Sequence, residues 1–176
     1  MPYSFHFEQW LPYPTEQVFA FFADPANLPQ LMPPRQAARI DRLHLVPALP
    51  NPQPNAAGPG TRVLLSFRPL PVLPIRVQWE AEITEFVWND FFADRQVRGP
   101  FALWNHRHSV RPLTSATTVL TDDVQYDLPL GPFGRLAHTL FVRRQIEAAF
   151  AYRREALMDA LQQPNPRAAT PKTRAS

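Results

Sequence analysis

Apolar positions in this chain recur mostly at intervals of two. From Tyr3 to Leu11, Phe5, Phe7 and Gln9 oppose Ser4, His6 and Glu8, as in a strand with one wet face. Pro12 and Pro14 end it. Thr15 to Ala23 changes to helical spacing, with Val18, Phe19 and Phe22 on one side, until Asp24-Pro25 breaks it. A second helical turn through Leu28 and Leu31 closes at Pro33-Pro34. Strands are then predicted over Ala38 to Val46, Thr61 to Arg68 and Ile75 to Phe86. The last sets Val77, Trp79, Ala81 and Ile83 against Arg76, Gln78, Glu80, Glu82 and Thr84.

Phe92 to Val110 reads as two more strands joined by the turn pair Gly99-Pro100. In the second, Trp104, His106, His108 and Val110 alternate with Asn105, Arg107, Ser109 and Arg111. The wholly polar set faces water, so the two histidines point inward beside a tryptophan. A further strand runs from Ala116 to Leu128, with Thr118, Leu120, Asp122, Val124 and Tyr126 on one face. Pro129 to Pro132 opens a long helix, Phe133 to Gln162, in which Leu136, Leu140, Ile146, Phe150, Leu157 and Leu161 recur at helical spacing. Pro164 stops it. Residues 1–163 are expected to form one domain, and 164–176 a disordered tail.

Strand, two short helices, about six further strands and one long helix make an α+β fold with an antiparallel sheet. Sheets of this size curl, and only the long helix can cover the concave face. A cavity suited to a small molecule is expected between them, several hundred cubic ångströms in volume. The proline-rich connector Pro47–Gly60 denies itself regular pairing and is expected to be a mobile flap at the cavity mouth. Deleting Asn51–Ala57 should then leave the melting temperature nearly unchanged.

Composition narrows the function classes. The absence of cysteine excludes disulfides and thiol chemistry. No apolar run approaches the roughly 20 residues that span a bilayer, and the N-terminus lacks the pattern of a secretory signal. A cytoplasmic protein without stable membrane insertion is expected. The net charge of +3 comes with no basic stripe interleaved with aromatics, so nucleic acid is not an expected partner. A homodimer is left open. No cofactor motif is present.

An inward histidine needs a partner or a wet cavity, because unpaired polar burial costs on the order of 1–3 kcal/mol. If Arg111 lies opposite Thr117, His106 faces Asp122, His108 faces Leu120 and Trp104 faces Val124. An odd-length connection at Gly99 would set Asp94 opposite His106 and Gln96 opposite Trp104, whereas a two-residue turn would turn Asp94 outward. His106, His108 and Asp122 are the candidates for catalysis. Three readings stand. The polar groups satisfy one another and hold the register; or they meet the polar end of a largely apolar ligand; or a His–Asp pair performs general acid–base chemistry. His-x-His plus Asp could bind a metal, but this is set aside, since two ligands alternating on one strand rarely suffice. Trp79, Phe92, Trp104, Val110, Leu120, Val124, Tyr126, Leu140 and Phe150 are expected to form apolar wall, with Asp94, Gln96, His106, His108 and Asp122 at the polar end. Arg143-Arg144 and Arg153-Arg154 read as wet helix flanks, and His138 as exposed.

The segments PTEQVFAFFADPANLPQLMPP, FADRQVRGPFALWNHRH and DDVQYDLPLGPFGRLA, followed by a long helix carrying FAYR, resemble the START-like, or SRPBCC, superfamily. The resemblance runs over about residues 3–162, in the right order. It points to a bacterial ligand-binding branch related to polyketide cyclase/dehydrase and coenzyme Q-binding proteins. It implies the helix-grip fold and an apolar cavity for a lipid, an isoprenoid or quinone, or a polyketide-like molecule. The alternatives are a cyclase or dehydratase, or a non-catalytic interaction subunit. The superfamily does not imply one chemistry.

Overall fold

The computed structural model describes residues 2–50, 53–69 and 75–162. Seven strands form one antiparallel sheet in the order β1-β7-β6-β5-β4-β3-β2. They are β1 (Tyr3–Leu11), β2 (Arg39–His44), β3 (Arg62–Phe67), β4 (Val77–Val87), β5 (Phe91–Arg98), β6 (Leu103–Thr114) and β7 (Thr117–Asp127). Helix α1 (Thr15–Ala23) and a 3-10 helix (Pro25–Leu31) follow β1, as the Asp24-Pro25 break predicts. Asp24 caps the second, its side chain accepting from Ala26 N at 2.9 Å. This is the START-like helix-grip architecture. No described helix is long and apolar enough to cross a membrane.

The long helix begins at Pro132 and is not uniform. Helix α2 (Pro132–Ala137) passes through a π-helical turn (His138–Val142) into α3 (Arg143–Gln162). Only α3 presents a continuous buried stripe, Ile146, Phe150, Leu157 and Leu161. Its backbone is tied down by Gln9 Nε2, which donates to Arg154 O, and by Gln17 Nε2, which donates to Leu161 O. Leu11, Val18, Phe19, Phe92, Val110, Leu120 and Leu157 close one end of the core. Trp104, Val124, Tyr126, Ile146 and Phe150 form a second cluster.

The connector after β2 is not a loose flap in its described part. Pro47 bridges to Ala57, Ala57 N donates to Ala23 O at 2.8 Å and Gly58 N to Val46 O at 2.7 Å. Ala48, Ala56 and Ala57 are buried. Their small side chains let backbone lie against the end of α1. At Gly58 a Cβ would sit 2.8 Å from Ala48 Cα, so the close approach requires glycine. Asn51, Pro52 and the 164–176 tail lie outside the described residues.

Candidate functional site

The site sits on three adjacent strands. In β6, Trp104, His106, His108 and Val110 are buried, as the alternation predicts. Against β5, Asp94 stands opposite His106, the odd-length register, and its side chain is 15% exposed. Against β7 the register differs from the expected one by two residues. His108 faces Asp122, His106 faces Val124, Trp104 faces Tyr126 and Val110 faces Leu120. The hairpin is irregular between Pro112 and Thr114, where a bulge accommodates a proline with no N–H for the ladder. Because the shift is even, every side chain keeps its face.

His106 still reaches Asp122, now as a diagonal neighbour. Asp122 Oδ1 lies 2.9 Å from His106 Nε2 and 2.6 Å from His108 Nδ1. An ionised carboxylate only accepts, so both ring nitrogens donate to it. The opposite edge of His108 meets a second carboxylate, with Nε2 3.3 Å from Asp94 Oδ2. The ring also stacks on Phe92, centroids 4.4 Å apart.

Arg153 completes the cluster. It was expected on a wet flank, but its side chain is 13% exposed and Nη2 comes within 3.7 Å of Asp122 Oδ1. Nη2 is also 3.2 Å from His108 Nδ1. Since His108 Nδ1 donates to Asp122, this is a contact between two donors rather than a hydrogen bond. The guanidinium lies 4.9 Å from the centre of the Phe22 ring, a geometry in which it is attracted to the ring face. Arg153 follows Phe150 by three residues, and that spacing on the inner stripe was the sequence signal for it.

Electrostatics separate the titrating groups. Burial raises the pKa of Asp122, but Arg153 first, then His108 and the histidine hydrogen bonds, hold it well below 3.8. Burial would depress His108, yet Asp122 and Asp94 outweigh it and its pKa is raised. At His106 burial prevails, reinforced by charge on His108, and its pKa is lowered. Of the pair, His108 therefore takes up a proton more readily than His106. Asp122 Oδ2 and Arg153 Nε are buried with no hydrogen-bond partner among the described residues.

Beside the cluster lies a cavity of about 250 Å³. Of the expected wall, Trp79, Phe92, Trp104 and Phe150 line it, and so do Asp94, His106 and His108. Asp122 stands behind the histidines, fully buried and off the cavity surface. Val110, Leu120, Val124 and Tyr126 are closed core rather than wall. Gln96 serves the turn, donating from Nε2 to Phe101 O at 2.8 Å. Leu140 is a correction: it is 65% exposed, because the π-helical turn rotates its part of the helix away from the buried stripe. His138 is buried rather than exposed, stacked on Tyr3 and 2.9 Å from the Tyr126 hydroxyl. Sequence reasoning missed the floor and lid of the cavity: Val63 and Leu65 of β3, Phe22 of α1, and Leu28 and Leu31 of the 3-10 helix. Their alternation and spacing were visible, but which helix covers which strand is set only by assembly.

The model of a family described as "Polyketide cyclase / dehydrase and lipid transport" matches residues 11–150. No curated protein matches the sequence. Among solved structures, the Zhui aromatase/cyclase from Streptomyces sp. R1128 superposes with a TM-score of 0.68 at 12% identity, over 92% of this chain and 94% of that one. A START superfamily protein from Mycobacterium smegmatis gives 0.63 at 14% identity, over 91% and 97%. Norcoclaurine synthase from Thalictrum flavum, in complex with dopamine and hydroxybenzaldehyde, gives 0.61 at 14% identity, over 92% and 87%. At such identities the likeness is one of fold.

Proposed function

Since the chain belongs to the polyketide cyclase / dehydrase and lipid transport family, we propose that it binds one small, largely apolar molecule between the sheet and α3. The ligand's single polar end meets Asp94, His106, His108 and Arg153. The observation that carries this reading is the cavity itself, walled by Phe22, Leu65, Trp79, Trp104 and Phe150, with Asp94, His106, His108 and Arg153 clustered on its lining. Its volume of about 250 Å³ lies just below the roughly 300–1,000 Å³ typical of small-molecule pockets. That favours a compact polyketide-like or quinone-like ring system over a long acyl chain.

Anilinonaphthalene sulfonate, an aromatic body with one anionic group, is a fitting probe. It should bind the wild type, and Ala81→Trp, which fills the cavity, should abolish binding without lowering the melting temperature much. Equal affinity in a folded Ala81→Trp variant would place the ligand elsewhere.

One observation favours a second reading, proton transfer of the cyclase or dehydratase kind. Burial holds the His106 pKa down, the ring gives one nitrogen to Asp122, and the other has no hydrogen-bond partner among the described residues. A neutral, carboxylate-oriented imidazole at a cavity wall is equipped as a general base. With a linear poly-β-keto thioester, His106→Gln should keep binding and lose conversion to the cyclised product. Conversion equal to the wild type would remove His106 from the chemistry.

A further inference from the structure

Asp122 holds both histidines by one nitrogen each, and this determines what the rings can offer. With His106 Nε2 and His108 Nδ1 committed to Asp122 Oδ1, the nitrogens left over are His106 Nδ1 and His108 Nε2. Asp94 Oδ2 is 3.3 Å from the latter. One ligand-capable atom from each of Asp94, His106 and His108 lies within 4.8 Å of the other two, and all three residues line the cavity.

We propose that Asp94, His106 and His108 form a binding site for a divalent first-row transition metal ion, with Asp122 as the carboxylate that orients both imidazoles. Two histidines and one carboxylate from adjacent strands supply three ligands on one side of the ion. Its remaining positions open toward the cavity. From sequence, a third ligand beside the two histidines hung on which of two registers the Gly99 turn adopts; the β5–β6 register supplies it by setting Asp94 opposite His106. Metal-bound histidines characteristically donate their other ring N–H to a carboxylate, which fixes the tautomer and strengthens the ligand. Here one buried oxygen does this for both rings before any ion arrives.

The charge balance agrees. Asp94 and Asp122 against Arg153 leave one net negative charge around the two rings, a deficit of positive charge. His108 Nε2 and Asp94 Oδ2 lie 3.3 Å apart on the cavity side, and a cation between them would be held by both. The site does not depend on an apolar ligand, because every proposed ligand atom belongs to the chain. An ion bound to His106 would occupy the nitrogen that proton transfer needs, so the two uses of that atom exclude one another.

The test uses tag-free, full-length protein titrated with Zn²⁺ and Co²⁺ by calorimetry and visible absorption, with imidazole ¹⁵N NMR on the zinc form. One ion should bind per chain, cobalt should develop ligand-field bands, and the shifted nitrogens should be His106 Nδ1 and His108 Nε2. Asp94→Asn should weaken binding at least tenfold, and Asp122→Asn, which touches no metal, by roughly 10–100-fold. His6→Ala, which alters the exposed His6–Asp123 pair, should change nothing. The NMR assignment on the wild type stands even if a variant fails to fold. Binding weaker than about 1 mM, or shifts confined to His6, His44 or His138, would overturn the proposal. Neither outcome bears on the anilinonaphthalene sulfonate test, so metal and apolar ligand succeed or fail separately.

Discussion

Asp122 and His108 face each other directly across β7 and β6, and the 2.6 Å between Oδ1 and Nδ1 is the shortest contact in the buried cluster. The same oxygen accepts from His106, so one fully buried carboxylate orients two rings and faces one guanidinium. Asp122→Asn strips the buried cations of their anion. A loss of about 3–5 kcal/mol is expected, the range for removing one partner of a buried ion pair, read by urea unfolding. The ¹⁵N titrations of His106 and His108 should move in this variant while that of His138, bonded to Tyr126 instead, stays in place. Unmoved titrations at both would refute the pairing.

The two histidines contribute to stability with opposite pH dependence. Burial opposes the proton on His108, but Asp122 and Asp94 prevail over it and over Arg153, so its pKa is above 6.5. The folded state then binds that proton more tightly than the unfolded state. Its contribution is complete below pH 6.5 and fades as the pH rises through the raised pKa. His106, with its pKa below 6.5, contributes above that pH and loses its share as the pH falls. Calorimetric melting temperatures of the wild type should therefore decline above pH 6.5. The decline should be shallower in His108→Gln; equal slopes would count against the bridged imidazolium.

Arg153 is the leading cause that lowers the pKa of Asp122. Arg153→Met keeps the apolar stem against Phe22 and Phe150 but removes the cation. A carboxyl with a depressed pKa stabilises the fold above its unfolded value and loses that effect as the pH falls. With less depression, acid unfolding followed by circular dichroism should begin at a higher pH than in the wild type. An unchanged acid limb would mean that the 3.7 Å ion pair carries no weight.

Leu140 and Leu157 are indistinguishable by pattern but differ in burial, 65% against 0% exposed. Leu157→Ala is expected to cost about 2–5 kcal/mol, whereas Leu140→Ser should stay within about 0.5 kcal/mol. Guanidinium unfolding of the two variants side by side checks this.

Deleting residues 51–57 removes buried Ala56 and Ala57 together with the hydrogen bond from Ala57 N to Ala23 O. A fall of several degrees in melting temperature is expected, since about 1 kcal/mol shifts the midpoint of a domain this size by roughly 2–4 °C or more. A melting temperature equal to that of the intact chain would restore the flap.

By itself, the alternation of Trp104, His106, His108 and Val110 determined which side of β6 faces inward, and that of Leu120, Asp122 and Val124 did the same for β7. A strand's period of two is local geometry and needs no partner to be read. The element order, the Asp24-Pro25 break and the START-like resemblance were legible for the same reason. Register was not, because it depends on the bulge at Pro112 and Thr114; only its parity was safe, and parity kept Asp122 beside both histidines. The exposure of Leu140 and the burial of His138 depended on how a π-helical turn rotates one stretch of helix against another. Which of the inward apolar residues line a cavity and which close the core depended on where α1 and α3 come to rest. Those are packing outcomes between segments far apart in the chain, and no local periodicity encodes them.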